Sequence, residues 1–334
     1  MDSITLSPAE IHALVLRTLM ANGCDAENAG PIADNLTRAE CDGQMSHGLF
    51  RLPGVVNHIR KGVATGTARP AVTRTAPAVI EVDAKGGFAP VAHAAGIPVL
   101  IEAAQEQGMA ALAIKNCLHI MALWPEATQV AEAGLIGYAF TSSPAYVAPA
   151  GGSKPFFGTN PMAFAWPRPG GSPMVFDQAS AAMARGEIQI AARDGHPLPE
   201  GAGIDSDGNP TTDPEAILKG AQLAFGGYKG ASIALMVDLL AGPLLGQVSS
   251  HESKPIGPGF LTLSGELILA LDPNRFGNSE GWAAHSERLF AAMTAQDGVR
   301  LPGDRRTKNR ERIAREGAEI PKALHDQILA LGES

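Results

Sequence analysis

The sequence predicts an α/β protein in which helical segments flank a central region of alternating strands and helices. Three observations predict this class. The first 60 residues or so show helical periodicity, the middle alternates short apolar runs with helical patterns, and helix returns beyond Gly281. Because the 334 residues exceed the usual size of one domain, we expect more than one packed unit.

The composition is typical of a soluble globular protein, with 45% hydrophobic and 18% charged residues. A net charge of −8 argues against a general nucleic-acid or membrane-surface binder. We find no apolar run near the ~20 residues of a membrane span and no basic signal-peptide start. Cys24, Cys41 and Cys117 lack C-x-x-C spacing, so they suggest neither disulfides nor a zinc site. We therefore expect a cytoplasmic protein that binds no metal, nucleic acid or membrane.

The amino-terminal region shows three helical patterns. Ser7-Pro8-Ala9-Glu10 is a capping box that begins the first helix, and Asp25 begins the second. A third pattern covers residues 45–62 and is expected to bend or break near Pro53. The first strand-like stretch after these helices is Ala78–Val82.

The middle of the chain predicts a sheet interrupted by helices. Strands are predicted at Ala110–Ile114, Leu135–Phe140, Met162–Trp166, Met174–Phe176 and Glu266–Leu271, and helices at Gly96–Gln107, Glu126–Ala133 and Lys229–Leu245. The turn-rich residues 193–214 predict a surface loop, in which Asp205 begins a turn rather than a calcium loop. No G-x-G-x-x-G follows a strand and no P-loop motif occurs, which argues against both nucleotide-binding folds.

Ser46-His47-Gly48-Leu49-Phe50-Arg51 is the most informative constellation. If this segment is helical, His47 and Arg51 lie one turn apart on the same face. Imidazole donates a proton near neutral pH and guanidinium grips a carboxylate, so the pair could hold an α-keto or α-imino acid. The alternative is that His47 packs or caps and Arg51 is simply solvated.

Three further segments could meet anions. Phe157–Pro161 is a turn with exposed N–H groups, Gly226–Gly230 opens an apolar helix, and Arg305-Arg306 with Lys308 and Arg310 forms a basic cluster that could bind a 2′-phosphate. An ordinary turn, a flexible helix start and a solvated face are the respective alternatives. Of the carboxylates Asp177, Glu187 and Asp194, composition alone selects none for catalysis.

Six motifs in order resemble one family. They are Ser46–Pro53, Leu123-Trp124-Pro125, Gly158–Pro161, Phe176–Ser180, Phe225–Gly230 and Leu301–Arg306. Together they resemble the malate/L-lactate dehydrogenase superfamily of non-Rossmann NAD(P)-dependent oxidoreductases, from about residue 7 to 330. Within it, the chain looks most like the Δ1-piperideine-2-carboxylate/Δ1-pyrroline-2-carboxylate reductases.

The resemblance implies an NADPH-binding domain built on a mostly antiparallel mixed sheet, flanking helical segments, and a homodimer with its site between domains. The predicted segments are residues 1–75 (helical, catalytic), 76–115 (α/β, joining the core), 116–280 (NADPH-binding) and 281–334 (helical, packing back on the first). The implied reaction is reduction of a cyclic imino acid to L-proline or L-pipecolate. A 2-hydroxy acid dehydrogenase of the malate, lactate or ureidoglycolate type and a non-catalytic ligand-binding homologue are the alternatives.

The resemblance also implies residue roles. Ser46 and His47 match a relay serine and proton donor, and Glu187 stands where the relay carboxylate is usually Asp. The substrate-binding positions are Arg51 for the carboxylate, with Thr159, Arg185 and Gly186. The cofactor-binding positions are His119, Ile120, Met121, Ala122, Leu123, Asp177, Gln178, Ala179, Tyr228, Lys229, Gly303, Asp304, Arg305, Arg306, Thr307, Lys308 and Asn309. No metal is implied.

The chain departs from the branch in one segment. Where the branch commonly reads Ser-His-His-Phe-Ala-Ala-Leu, this chain has Cys117-Leu118-His119-Ile120-Met121-Ala122-Leu123. Leu118 replaces a histidine and Met121 is bulkier than alanine. We therefore expect a reshaped wall near the cofactor.

Overall fold

The structure, a computed structural model, describes residues 2–254, 263–277 and 281–333. The helices are α1 (Pro8–Ala21), α2 (Ala26–Cys41), α3 (Leu52–Arg60), α4 (Ala89–Gln107), α5 (Trp124–Glu132), α6 (Arg185–Asp194), α7 (Pro214–Lys219), α8 (Tyr228–Ala241), α9 (Trp282–Thr294), α10 (Asp304–Glu316) and α11 (Lys322–Gly332). The strands are β1 (Ser3–Leu6), β2 (Ala71–Ala76), β3 (Val79–Asp83), β4 (Met109–Cys117), β5 (Ile136–Thr141), β6 (Met162–Trp166), β7 (Met174–Gln178), β8 (Gly203–Ile204), β9 (Pro210–Thr211), β10 (Ala221–Gln222), β11 (Ser264–Leu271) and β12 (Ala318–Pro321).

The main sheet has seven strands in the order β2-β3-β4-β11-β5-β6-β7. It is mixed, because β2 pairs antiparallel with β3 while β3 pairs parallel with β4. Two small antiparallel sheets, β1-β12 and β10-β8-β9, complete the strand pairing of the described residues. The predicted fold class, an α/β protein with a mixed sheet rather than a Rossmann unit, is confirmed.

The chain divides into two compact units. The first comprises Met1–Ala139, Ala163–Phe176 and Ile268–Ser334, and the second comprises Phe140–Met162 and Asp177–Leu267. The four-segment division expected from the sequence stays a prediction.

The core of the first unit forms where α4 covers β3 and β4. Alternate strand residues such as Val82 and Leu112 are buried, as the two-residue period of a strand requires. Gly96 permits the close packing, since a Cβ there would lie 2.9 Å from atoms of both side chains. Each such side chain contributes about 1.5–3 kcal/mol on burial.

The second unit has smaller apolar clusters. In one, Ile188 of α6 packs with Ile217 of α7, and in another Ala234 of α8 packs with Val147 and Phe157. Tyr228–Leu245 is long and apolar enough to cross a membrane by length and composition alone, and 44% of it is buried in the structure. The core helix of a soluble protein passes the same test.

The structure corrects three local predictions. The first strand is β1 rather than Ala78–Val82; its four residues are too few for a clear sequence pattern, and its partner β12 lies near the other end of the chain, where Ala318 pairs with Leu6. The third helical pattern is two separate 3-10 turns followed by α3, and Pro53 lies in the first turn of α3, where proline causes no break. The expected loop at residues 193–214 contains β8 and β9. The turn at Asp205 is confirmed by its Oδ1, which accepts from the N–H of Asn209 at 2.9 Å.

Candidate active site

The Ser46-His47 loop rests on a buried carboxylate. Met45–His47 forms a 3-10 turn, and Gly48 ends it with φ −92° and ψ −135°. The N–H of Leu49 donates to Oε2 of Glu40 at 2.8 Å, and a Cβ on Gly48 would collide with that oxygen. Burial raises the pKa of Glu40 to about 7. Glu40 was not predicted from the sequence as a site residue, although it lies in the last turn of α2, shortly before the motif.

His47 is neutral at neutral pH. Burial, followed by the positive charge of Arg51 and the proximity of His119, lowers the pKa of His47 to about 3. Ser46 Oγ lies 3.1 Å from Nδ1 of His47, so the hydroxyl can fix the ring tautomer. The structure thus brings His47 and Arg51 close enough for their charges to interact, but the continuous helix is wrong. The role of His47 in proton transfer stays a prediction.

A buried aspartate links the next residues. Asp42 is fully buried, and its Oδ2 accepts from the indole Nε1 of Trp124 at 2.8 Å. Arg310 donates to the same carboxylate through Nε at 2.7 Å and Nη2 at 3.0 Å. The rings of Trp124 and His47 meet in a T-shaped arrangement, with 6.4 Å between their centroids. We call Asp42, Trp124 and Arg310 the Asp42 cluster; the sequence analysis gave no role to Asp42 or Trp124.

Arg305 and Arg306, the two neighbouring arginines of the basic cluster, lie in α10 and differ in their surroundings. Arg306 donates to the carbonyl of Val175 at 2.6 Å and lies over the Trp124 ring, 4.9 Å from its centroid. Arg305 is exposed. Gly303 is the N-cap residue of α10, with φ 95° and no side-chain cap hydrogen bond, which leaves a helix N-terminus suited to an anion. Two further residues of this segment form hydrogen bonds: Asp304 accepts from the N–H of Leu301, and Asn309 donates to the carbonyl of Asp42. Thr307 is partly buried and Lys308 is exposed.

The segment 119–123 is mostly buried. Met121, Ala122 and Leu123 are at most 6% exposed, so the bulky Met121 is accommodated inside the protein, while Ile120 is partly exposed. His119 Nε2 lies 3.3 Å from Oε1 of Glu126, and both side chains are buried. The ring of His93 lies 5.9 Å from that of His119, between centroids. Neither His93 nor Glu126 was predicted from the sequence.

In the second unit, three predicted segments lie side by side. The N–H of Ser180 donates to the carbonyl of Thr159 at 2.7 Å, and the N–H of Phe225 donates to the carbonyl of Ser180 at 3.1 Å. Gly230 N–H donates to the Phe225 carbonyl at 3.0 Å. The turn at 157–161, the segment at 177–180 and the glycine turn at 225–230 therefore form one backbone frame.

Asn160 fixes this frame from inside. It is fully buried with φ 36°, and its Nδ2 donates to the carbonyl of Ala234 at 3.0 Å. Its Oδ1 accepts from the N–H of Ser143 at 3.2 Å and from Oγ of Ser250 at 3.1 Å. The sequence motif contained Asn160, but nothing in the sequence alone showed that it bridges distant segments.

The side chains on this frame have different environments. The Arg185 guanidinium lies 3.8 Å from the centroid of the Tyr146 ring, and burial lowers its pKa. Gly186 is buried, whereas Glu187 is exposed in the first turn of α6. Asp194, another carboxylate candidate, forms an exposed ion pair with Arg193.

Most residues of the second unit that are predicted to bind the cofactor are exposed to solvent. Gly227 begins α8 with φ 62° and no side-chain cap. Tyr228 is 68% exposed, Lys229 and Gln178 are exposed, and Asp177 and Ala179 are partly buried. The predicted site residues thus form two groups, one in each unit. Any catalytic or binding role that needs residues of both groups stays a prediction.

Comparison with known proteins agrees with the motifs. The sequence profile of the malate/L-lactate dehydrogenase family matches residues 6–329. A Δ1-pyrroline-2-carboxylate reductase of Ancylobacter novellus is 49% identical over 99% of this chain and 98% of its own length. The crystal structure of Δ1-piperideine-2-carboxylate reductase from Pseudomonas syringae pathovar tomato superposes with a TM-score of 0.94, at 41% identity, over 98% of this chain and 99% of its own. A structure titled as a putative malate/lactate dehydrogenase from E. coli gives 0.93 at 28% identity, over 99% and 95% of the two chains. The chain belongs to the malate/L-lactate dehydrogenase family.

Proposed function

We propose that this protein reduces a cyclic imino acid, Δ1-pyrroline-2-carboxylate or Δ1-piperideine-2-carboxylate, to L-proline or L-pipecolate with NADPH. The observation that carries the proposal is the pair formed by Arg51 and the neutral His47. The names of the relatives that match nearly the whole chain support the same substrate class.

Arg51 provides the carboxylate-binding group in this proposal. A guanidinium holds a carboxylate through two parallel hydrogen bonds, which fixes the orientation of the substrate ring. Because the charge of Arg51 helps to lower the pKa of His47, a bound carboxylate that neutralises this charge raises that pKa again. Substrate binding therefore makes His47 a better proton acceptor.

His47 handles the proton at the ring nitrogen. A cyclic imine is readily protonated, and its iminium carbon is then electrophilic at C2. The neutral imidazole offers one acceptor and one N–H donor, and Ser46 Oγ near Nδ1 leaves Nε2 for the substrate. Thr159 orients the ring, Arg185 and Gly186 contact the substrate, and Glu187 acts as the relay carboxylate.

The proposed preference for NADPH over NADH is based on the basic cluster at the start of α10. The uncapped N-terminus of α10 and the exposed Arg305 offer N–H groups and a cation, the donors that a 2′-phosphate requires. At the other group, the positive φ of Gly227 and the exposed Lys229 suit a pyrophosphate or ribose. Reduced nicotinamide, when bound, supplies the hydride for C2.

We also propose a homodimer in the cytoplasm. The α8 helix exposes Leu235, Met236 and Leu239, which are 46%, 39% and 52% accessible, and an apolar row of this kind suits a second copy of the chain. The free, buried cysteines fit a reducing compartment. Sedimentation of the purified chain at micromolar concentration tests the dimer, and a monomer would contradict it.

A substrate panel tests the proposed reaction. The purified chain is mixed with each cyclic imino acid, with pyruvate and with oxaloacetate, and oxidation of NADPH or NADH is followed by absorbance. We expect the highest kcat/KM with an imino acid and NADPH. Faster reduction of a 2-keto acid would replace the proposal by a hydroxy acid dehydrogenase. Nucleotide binding without turnover would indicate a non-catalytic homologue.

A further inference from the structure

Two histidines and one glutamate converge inside the first unit. His93 lies in the second turn of α4, His119 follows β4, and Glu126 lies in the first turn of α5. Each offers one ligand atom, and these atoms all lie within 4.8 Å of one another. His93 and Glu126 are held by two helices and His119 by the segment that follows β4, so three separate parts of the chain supply the side chains.

The three side chains are withdrawn from water. His93 is 2% exposed as a residue, the His119 side chain is 2% exposed, and Glu126 is fully buried. His119 Nε2 and Glu126 Oε1 lie 3.3 Å apart, a distance at which the two groups share a proton. Burying a carboxylate requires a compensating positive charge or hydrogen bonds, and a cation at this point would supply the charge.

We propose that His93, His119 and Glu126 bind a divalent transition-metal ion such as Zn²⁺. Two imidazole nitrogens and one carboxylate oxygen form a ligand set that zinc accepts, whereas Ca²⁺ and Mg²⁺ prefer oxygen ligands alone. Zn–N distances of about 2.0–2.1 Å require the ligand atoms to close by roughly an ångström, within reach of side-chain rotation. The ion takes the place of the proton shared by His119 and Glu126, and that proton is released to solvent.

The site has a consequence that rests on the proposed function. His119 belongs to the segment proposed to bind the cofactor, and drawing its buried ring onto an ion shifts the backbone that the nucleotide would contact. Occupancy should then inhibit the reductase reaction. The binding test and the inhibition test are kept separate so that each can fail alone.

A cobalt titration tests binding without any turnover. The chain is treated with a chelator, freed of it, and titrated with Co²⁺, whose visible ligand-field absorption reports a protein site; added Zn²⁺ should bleach it. We expect one equivalent to bind, without the sulfur-to-cobalt charge-transfer band that a ligand such as Cys117 would give. Absence of stoichiometric absorption, or a strong thiolate band, would overturn the assignment.

Three variants locate the ion. His93→Gln and Glu126→Gln each remove one ligand at similar volume and should weaken cobalt binding at least ~10-fold. His12→Gln is the matched control, because His12 pairs with Asp34 at the surface, 3.0 Å away, and its loss should leave binding unchanged. Should Glu126→Gln fail to fold, His93→Gln alone decides; equal affinity in that variant and the wild type would overturn the proposal.

Inhibition is measured on the same proteins. Zinc should lower imino-acid reduction by the wild type, and His93→Gln should require at least ~10-fold more zinc for the same effect. Equal inhibition of both would contradict the inhibitory role. If no imino acid is reduced, the cobalt titration still decides the metal site.

Discussion

The two units hold their groups of candidate residues in different ways. In the first unit, side chains are joined to one another: Asp42 accepts from Trp124 and Arg310, and the Trp124 ring meets His47. In the second, backbone hydrogen bonds align the segments and one buried amide, Asn160, crosses between them. The candidate side chains Glu187 and Lys229 meanwhile stay exposed.

Because the two units hold their candidate residues differently, substitutions in only some places should lower both stability and activity. A change in the Asp42 cluster disturbs buried charges and the neighbours of His47 at once. A change to an exposed side chain of the second unit should alter ligand binding while the fold persists. Frame residues such as Asn160 are the exception, because they act on the backbone.

His47 should give the largest effect. In the His47→Ala variant we expect kcat for the imino acid to fall about 10²–10⁴-fold, the typical contribution of a general acid or base. The free energy of unfolding should change far less, because part of the His47 surface stays accessible to solvent in the folded protein. Steady-state kinetics with NADPH measure this effect, and near-full turnover would remove His47 from the mechanism.

The Asp42 cluster should show the next largest effect. Asp42→Asn leaves the Arg310 guanidinium and the Trp124 indole with a weaker partner, and we expect a loss of about 3 kcal/mol in the free energy of unfolding. Urea unfolding measures it. Asp326→Asn is the control, because the Lys322–Asp326 pair is exposed and should be worth less than about 0.5 kcal/mol.

Asn160 extends this test to the second unit. Asn160→Ala removes the donor to Ala234 and the acceptor for Ser143, so about 2 kcal/mol should be lost without any change of charge. The effect should therefore be independent of salt, whereas that of Asp42→Asn should decrease modestly as salt is added, because the Arg310 side chain is 37% exposed. Equal salt dependence of the two would contradict the distinction between the units.

Glu40 should make the stability of the first unit depend on pH. Burial raises the pKa of Glu40 from 4.5 to about 7, so its contribution is fully present below about pH 4.5 and is lost as the pH rises through 7. Compared with wild type, Glu40→Gln should gain roughly 2–3 kcal/mol between pH 5 and pH 8, because the amide still accepts from Leu49 N–H without ionising. Urea midpoints at both pH values measure the difference, and parallel profiles would contradict the raised pKa.

Substitutions of Arg305 and Arg306 should distinguish an effect on nucleotide binding from an effect on stability. Arg305→Ala should raise the KM for NADPH about 10-fold, leave that for NADH unchanged and barely affect unfolding, since Arg305 is exposed. Arg306→Ala should also lower stability, because it loses the Val175 carbonyl and the Trp124 ring. Arg312→Ala on the same helix, which breaks an exposed pair with Glu316, is the control. Equal nucleotide preference in Arg305→Ala and wild type would contradict the phosphate assignment.

Local patterns predicted much of the fold. The apolar runs at β4, β5, β6 and β11 and the capping box at Ser7 were sufficient, because burial and capping act over a few residues. The β1–β12 pair was missed since its strands have four residues each and meet only in three dimensions. Likewise, spacing suggested a helix through His47, but Gly48 and the buried Glu40 impose two 3-10 turns instead.

Candidate site residues could be predicted where they lie together in one short motif. They could not be predicted where the residue and its hydrogen-bond partner are far apart in the sequence. Their order in the chain made Ser46, His47 and Arg51 candidates, and their roles stay predictions. Asp42 and Arg310 are 268 positions apart, so no local signal could join them. The same holds for Asn160 and Ser250, which are separated by 90 positions.

The substrate carboxylate offers the most direct test of the central claim that Arg51 grips it beside His47. The ratio of kcat/KM for Δ1-pyrroline-2-carboxylate to that for 1-pyrroline, which lacks the carboxylate, is measured for wild type and Arg51→Gln. A charge-assisted double hydrogen bond predicts that the ratio falls by about 10–100-fold in the variant, while activity on 1-pyrroline hardly changes. An unchanged ratio would show that Arg51 does not bind the carboxylate, and would contradict the account.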